Sequence, residues 1–169
     1  MKQTMLYLLL ILLTSSCFSQ RLGVWEVKPY INEFGERTKT KYVYAFANGG
    51  FSNKAIKNGD MHVEFVIDKT EIKIKLSQFD YTFNRFYIVD KDEYLVFKVK
   101  EKRGNTWEFN TKNNEKGYYS VIKEELPNVY ELLSWQDALK FAVTSEDGIT
   151  NYWFTLRDNR HFQEAMSKL

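Results

Sequence analysis

The segment ALKFAVTSEDGITNYWFTLRDNRHFQEAMSKL, Ala138 to Leu169, carries the reading on which the fold turns. Leu139, Phe141 and Val143 alternate with Lys140, Ala142 and Thr144, the period-2 pattern of a half-buried strand. A polar turn with Asp147-Gly148 follows, and Tyr152, Phe154 and Leu156 then alternate with Trp153 and Thr155. The two runs predict an antiparallel hairpin with its large apolar groups on one face. Phe162, Ala165, Met166 and Leu169 fall at i, i+3, i+4 and i+7, which predicts a closing helix with one apolar stripe, capped by Asn159 or Asp158.

Upstream, the same alternation recurs. Val63, Phe65 and Ile67 turn through Asp68-Lys69-Thr70 into Ile72, Ile74 and Leu76, with Lys and Glu on the solvated face. Leu95, Phe97 and Val99 point inward from the run Glu93 to Lys100, and Trp107 with Phe109 and then Tyr118 to Ile122 form shorter strands. Near the start, Trp25 to Lys28 and Lys41 to Ala47 read as strands. Asn48-Gly49-Gly50 reads as a break, with Phe51 to Gly59 as loop and Ser77 to Arg85 as an irregular aromatic stretch. Pro127 opens a short helix through Trp135, with Val129, Leu132, Leu133 and Gln136 on one side.

Strands at intervals of roughly 8 to 12 residues, separated by turn signals, characterise all-β sandwiches and barrels. Aromatics make up 17% of the chain, in keeping with strands. No Pro/Gly/Ser-rich linker divides residues 20–169. The expectation is one mainly β domain over 20–169, an antiparallel β-sandwich with a short helix near 127–135 and a C-terminal helix.

Lys2, the apolar run Met5 to Leu13 and the small-residue tail Thr14 to Ser19 have the layout of a secretory signal over residues 1–19. The apolar run is about half of the ~20 residues a membrane-spanning helix needs. Cys17 and Ser19 fit the small-x-small rule for cleavage before Gln20; the alternative makes Cys17 the lipidated first residue of a lipoprotein, although Thr14 stands where that box wants leucine. Cleavage before Gln20 leaves no cysteine, and so no disulfide or thiolate chemistry. The expected location is periplasmic or extracellular, with membrane attachment only if Cys17 is acylated. The formal net charge is +2 with both signs mixed along the chain, so the basic stripe of a nucleic-acid binder is missing.

Residue types with chemistry are present, but their spacing is that of structure. His62 alternates with Glu64 on a polar strand face and reads as a solvated histidine; His161 has no partner at ligand spacing. Asp90 and Asp92 resemble the start of a calcium loop, yet Tyr94 and Leu95 occupy the fifth and sixth places, so turn chemistry accounts for them. Glu124-Glu125 and Glu146-Asp147 are adjacent in sequence, which is not the arrangement of a catalytic dyad. Neither catalytic residues nor a cofactor or metal is expected. The candidate binding face is aromatic: Tyr42 and Tyr44 on one strand face, Tyr118, Tyr119 and Trp153, with Tyr81 and Tyr87 also within reach of a surface. Such rings stack on sugars or anchor protein interfaces.

The runs Glu33-Phe34-Gly35-Glu36, Lys41-Tyr42-Val43 and Gly50-Phe51-Ser52-Asn53 with Ala55 resemble small exported bacterial β-sandwich proteins, a group that includes accessory factors of type VI secretion. The leader ending Cys17-Phe18-Ser19-Gln20 is similar to those of the Bacteroidetes. This resemblance implies an exported accessory domain and carries over no functional residue. The expected function is a non-enzymatic binding or assembly module of the bacterial envelope, its partner another envelope or extracellular protein. The alternative is a carbohydrate-binding or glycan-active protein that uses the aromatic face.

Overall fold

The computed structural model describes residues 24–114, 117–135 and 137–169. The expected signal peptide, Cys17 and the expected start at Gln20 lie outside the described residues, as does Gln136 in the stripe of the short helix. The strands are β1 (Glu26–Ile31), β2 (Arg37–Ser52), β3 (Gly59–Ile67), β4 (Ile72–Asp80), β5 (Arg85–Ile88), β6 (Tyr94–Lys100), β7 (Thr106–Asn113) and β8 (Tyr119–Val121). A 3-10 turn, Lys123–Glu125, leads into helix α1 (Leu126–Leu133); β9 (Leu139–Thr144), β10 (Asn151–Leu156) and helix α2 (Phe162–Met166) complete the chain.

The hairpins form in the register that alternation predicts. Leu156 pairs with Leu139 and Phe154 with Phe141 across β9 and β10; Phe65 pairs with Ile74 across β3 and β4. The expected sandwich, however, is not what these hairpins build. Going round, β2, β3, β4, β8, β7, β6, β9 and β10 are each hydrogen-bonded to the next, and β10 returns to β2, so the wall is a closed eight-stranded antiparallel barrel. Two seams close it: Asn151 to Phe154 against Ser52 to Gly49, and Lys73 and Ile74 against Ser120 and Tyr119. A sandwich would leave four sheet edges without partners, whereas closure pairs the edge groups of the wall strands.

The first seam explains the glycines that read as a break. Strand β2 runs through Asn48-Gly49-Gly50 to Ser52, and Phe51 is buried. A Cβ on Gly49 would collide with the Trp153 carbonyl oxygen and stand 2.7 Å from the Phe154 Cβ; one on Gly50 would stand 2.7 Å from the Trp153 indole. The missing side chains admit β10 against β2, so the pair serves as a joint and not as a strand end.

Side chains fill the barrel. Phe141 stacks on Phe154 at 4.5 Å, Phe97 on Phe109 at 5.2 Å, and Phe65 stands edge-on to Phe154 at 5.9 Å. Outward positions carry Lys73, Lys75, Lys98, Glu108 and Lys140, none of them buried. Apolar inside and charged outside is the inverse of a membrane barrel.

Two long connections step over the wall at opposite ends. The end that holds Ser52, Tyr94 and Asn151 is the upper one; Ile67, Val121 and Leu156 mark the lower. From β8 to β9 the chain crosses the lower end as α1, which buries Val129, Leu132 and Leu133 in the core and ties itself to the β3–β4 turn through the Tyr130 hydroxyl donating to the Asp68 carbonyl. From β4 to β6 it crosses the upper end, carrying β5 and burying Val89 and Asp92.

Helix α2 is shorter than the stripe implied and uses neither expected cap. His161 precedes it without a side-chain cap bond. Asn159 is buried, accepts the Trp25 indole N–H at 3.2 Å and donates to the Asp137 carbonyl at 3.3 Å; Asp158 holds Arg160 in an ion pair at 2.7 Å. Phe162 and Ala165 still dock, with Trp25 edge-on to Phe162 at 4.8 Å.

Candidate binding surface

Period-2 geometry sends Tyr42, Tyr44 and Phe46 of β2 outward, beside His62 and Glu64 of β3 and Lys75 of β4. Phe46 lies opposite Glu64, and Asn48 opposite His62. Burial raises the phenol pKa values of Tyr42, Tyr44 and Tyr118, and the Glu64 carboxylate raises each further, so these three expected residues do converge on one acid. Tyr44 is buried under its neighbours, and the faces of Tyr42 and Tyr118 are partly taken. Lys28 Nζ sits 3.6 Å over the Tyr44 ring, Tyr30 packs on Tyr42 at 4.7 Å, and Lys75 lies 5.6 Å from the Tyr118 ring centre.

The other two expected residues lie elsewhere. Tyr119, next to Tyr118 in sequence, points into the barrel and is fully buried; burial and the Asp92 carboxylate both push its pKa up. Trp153 is on the outer wall of β10, seated on Gly50.

His62 is not simply solvated. Its ring stacks on Phe86 at 3.6 Å and meets Phe46 edge-on at 4.8 Å; burial lowers its pKa, with Glu64 and Asp60 opposing. The ring chain continues from Phe86 to Phe79 and from Phe79 to Tyr81, 4.9 Å at each step, around a hollow of 220 Å³ lined by Asn48, Asp60, His62, Phe79 and Phe86. It leads onto the β4–β5 hairpin, where exposed apolar groups concentrate: Phe83 is 65% and Tyr81 56% exposed, and Phe86, Tyr87 and Ile88 are exposed as well. Tyr81 is held upright by its hydroxyl, which donates to Asp60 Oδ2 at 2.9 Å and accepts the Asp60 N–H. Arg85 donates to the Tyr87 hydroxyl and lies 4.4 Å over its ring. Among the described residues strand β5 pairs with β4 alone. The sequence signal for this hairpin was the density of rings from Phe79 to Tyr87; their irregular spacing hid the short strand.

The acids act as backbone anchors. Glu125 accepts the Asn110 N–H and side-chain amide, Glu146 accepts the Tyr94 N–H, and Asp147 accepts the Ile149 N–H and the Ser145 hydroxyl. Asp92 is buried; one oxygen accepts the Glu146 N–H at 3.3 Å, the other has no partner among the described residues, and burial raises its pKa. Among the described residues no group of three or more His, Cys, Asp or Glu is placed to hold a metal ion, and no helix is long and apolar enough to cross a membrane.

The chain matches no protein-family model, no curated protein and no solved structure at a significant level.

Proposed function

We propose that the protein is an exported, non-enzymatic binding or assembly module of the bacterial envelope, and that the β4–β5 hairpin with the adjoining ring face docks another envelope or extracellular protein. The observation that carries this reading is the concentration of Tyr81, Phe83, Phe86, Tyr87 and Ile88 in the open on a hairpin whose second strand has one free edge among the described residues. Aromatic groups supply most of the energy at protein interfaces, and a free edge adds main-chain hydrogen bonds to an extended partner segment. Export rests on the leader, and acylated Cys17 would tether the module to a membrane. A photo-crosslinking residue at position 83, in intact cells, tests the reading. One discrete protein adduct that disappears with Tyr81→Ser supports it, and adducts unaffected by Tyr81→Ser count against it.

Glycan binding is the second reading, favoured by the Glu64 carboxylate, which stands opposite Lys75 near the half-buried Tyr42 and Tyr118, a set of hydroxyls and an acid suited to sugar hydroxyl groups. A glycan array with Tyr42→Ala and Tyr44→Ala separates the two. Binding lost on both substitutions supports the sugar.

A further inference from the structure

A second hollow lies at the lower end, between β7 and α1, with a volume of 180 Å³. Its apolar lining includes Trp107 and Trp135, edge to face at 4.5 Å, above Val129 and Leu132. Three carboxylates stand around it, Glu108, Glu125 and Glu131, and no Lys or Arg among the described residues lines it.

The charge of that rim is countered at one carboxylate of the three. Glu125 is held by two neutral donors of Asn110, at 2.6 and 2.7 Å, which orient the carboxylate without neutralising it. Glu131 has no ion-pair partner among the described residues. Glu108 meets Lys98 at 3.2 Å, but both side chains are mostly exposed, so this pair is weak and easily exchanged.

We infer that this groove receives a lysine or arginine side chain of a partner protein. An indole face and a carboxylate together favour a cation, and the aliphatic stem of a basic side chain matches the apolar floor. The hollow is smaller than the ~300 Å³ at which sites for drug-sized ligands begin, so it accommodates one side chain. A group that small gains little affinity alone, and attachment to a larger docked surface supplies the remainder. The inference is independent of the hairpin reading, because it concerns the opposite end of the barrel.

The test follows the four tryptophan indole N–H signals by NMR, assigned with single Trp→Phe variants, while a capped Gly-Lys-Gly peptide is added to the full chain. The Trp107 and Trp135 signals shift with the lysine peptide and not with its norleucine analogue. The double variant Glu108→Gln/Glu131→Gln, whose folding is verified by its melting temperature, weakens binding by about fivefold, and raised salt weakens the parent in the same way. Equal shifts with norleucine, shifts confined to Trp25 or Trp153, or no shift at millimolar peptide overturn the inference. Putrescine binding as tightly as the peptide overturns the assignment to a protein side chain.

Discussion

The two connections that step over the barrel wall solve the same topological problem in opposite ways. Below, the segment from β8 to β9 folds into an amphipathic helix whose apolar stripe closes the core. Above, the segment from β4 to β6 anchors itself with Val89 and Asp92 but turns Tyr81, Phe83 and Tyr87 to solvent. A helix separates its faces and buries one, while a two-stranded hairpin beyond the barrel rim exposes both. The contrast teaches that the lower crossing is chiefly part of the fold's stability and the upper one is chiefly free surface.

Truncation of the plug has the largest expected effect. Leu133→Ala opens a cavity under α1 and lowers stability by about 2–5 kcal/mol, read from urea denaturation. Next comes the seam: Gly49→Ala forces a methyl group into β10 and costs about 1–3 kcal/mol on the same assay, with Trp153 fluorescence altered as the joint opens.

Asp92→Asn sharpens the account of the upper end. Burial holds the Asp92 pKa above its ordinary value, so between the two values the folded state binds the extra proton and stability falls as pH rises through the folded pKa. Asparagine removes that titration. The variant should therefore be more stable than the parent at neutral pH, and the gain should vanish below the ordinary carboxylate range. Comparing variant with parent cancels the opposite trend of Asp158, held down to about 2 by Arg160, while Asp147, held down to about 2 by the Ser145 hydroxyl, repels Asp92 and is eased further in the variant. A gain that grows on acidification would contradict the assignment.

The smallest expected effect on stability is the most telling for function. Phe83→Ser should leave stability within about 0.5 kcal/mol while abolishing partner binding, since the ring contacts solvent and not the core. A large drop in melting temperature would place the hairpin on the structural side of the comparison.

Much of the wall was legible in the residues, and the reason is local. Ile72, Ile74, Leu139 and Phe141 alternate with polar or small neighbours, and all four are buried. The candidate face was legible only in part. Tyr118 and Tyr119 are adjacent, and at the start of a short strand nothing local says which of the two faces inward. Trp107 and Trp135 come together only because α1 crosses the lower end, so the groove between them left no mark in either local pattern.

By itself the sequence determined which side chains of the regular strands line the core, since alternation at period 2 is a property of each strand alone. Whether those strands stack as two sheets or curl into one ring depended on which edges meet. That was decided by the tertiary structure, through β10 against the glycines of β2 and β8 against β4. Both architectures bury the same stripe, and only pairing between segments distant along the chain distinguishes them.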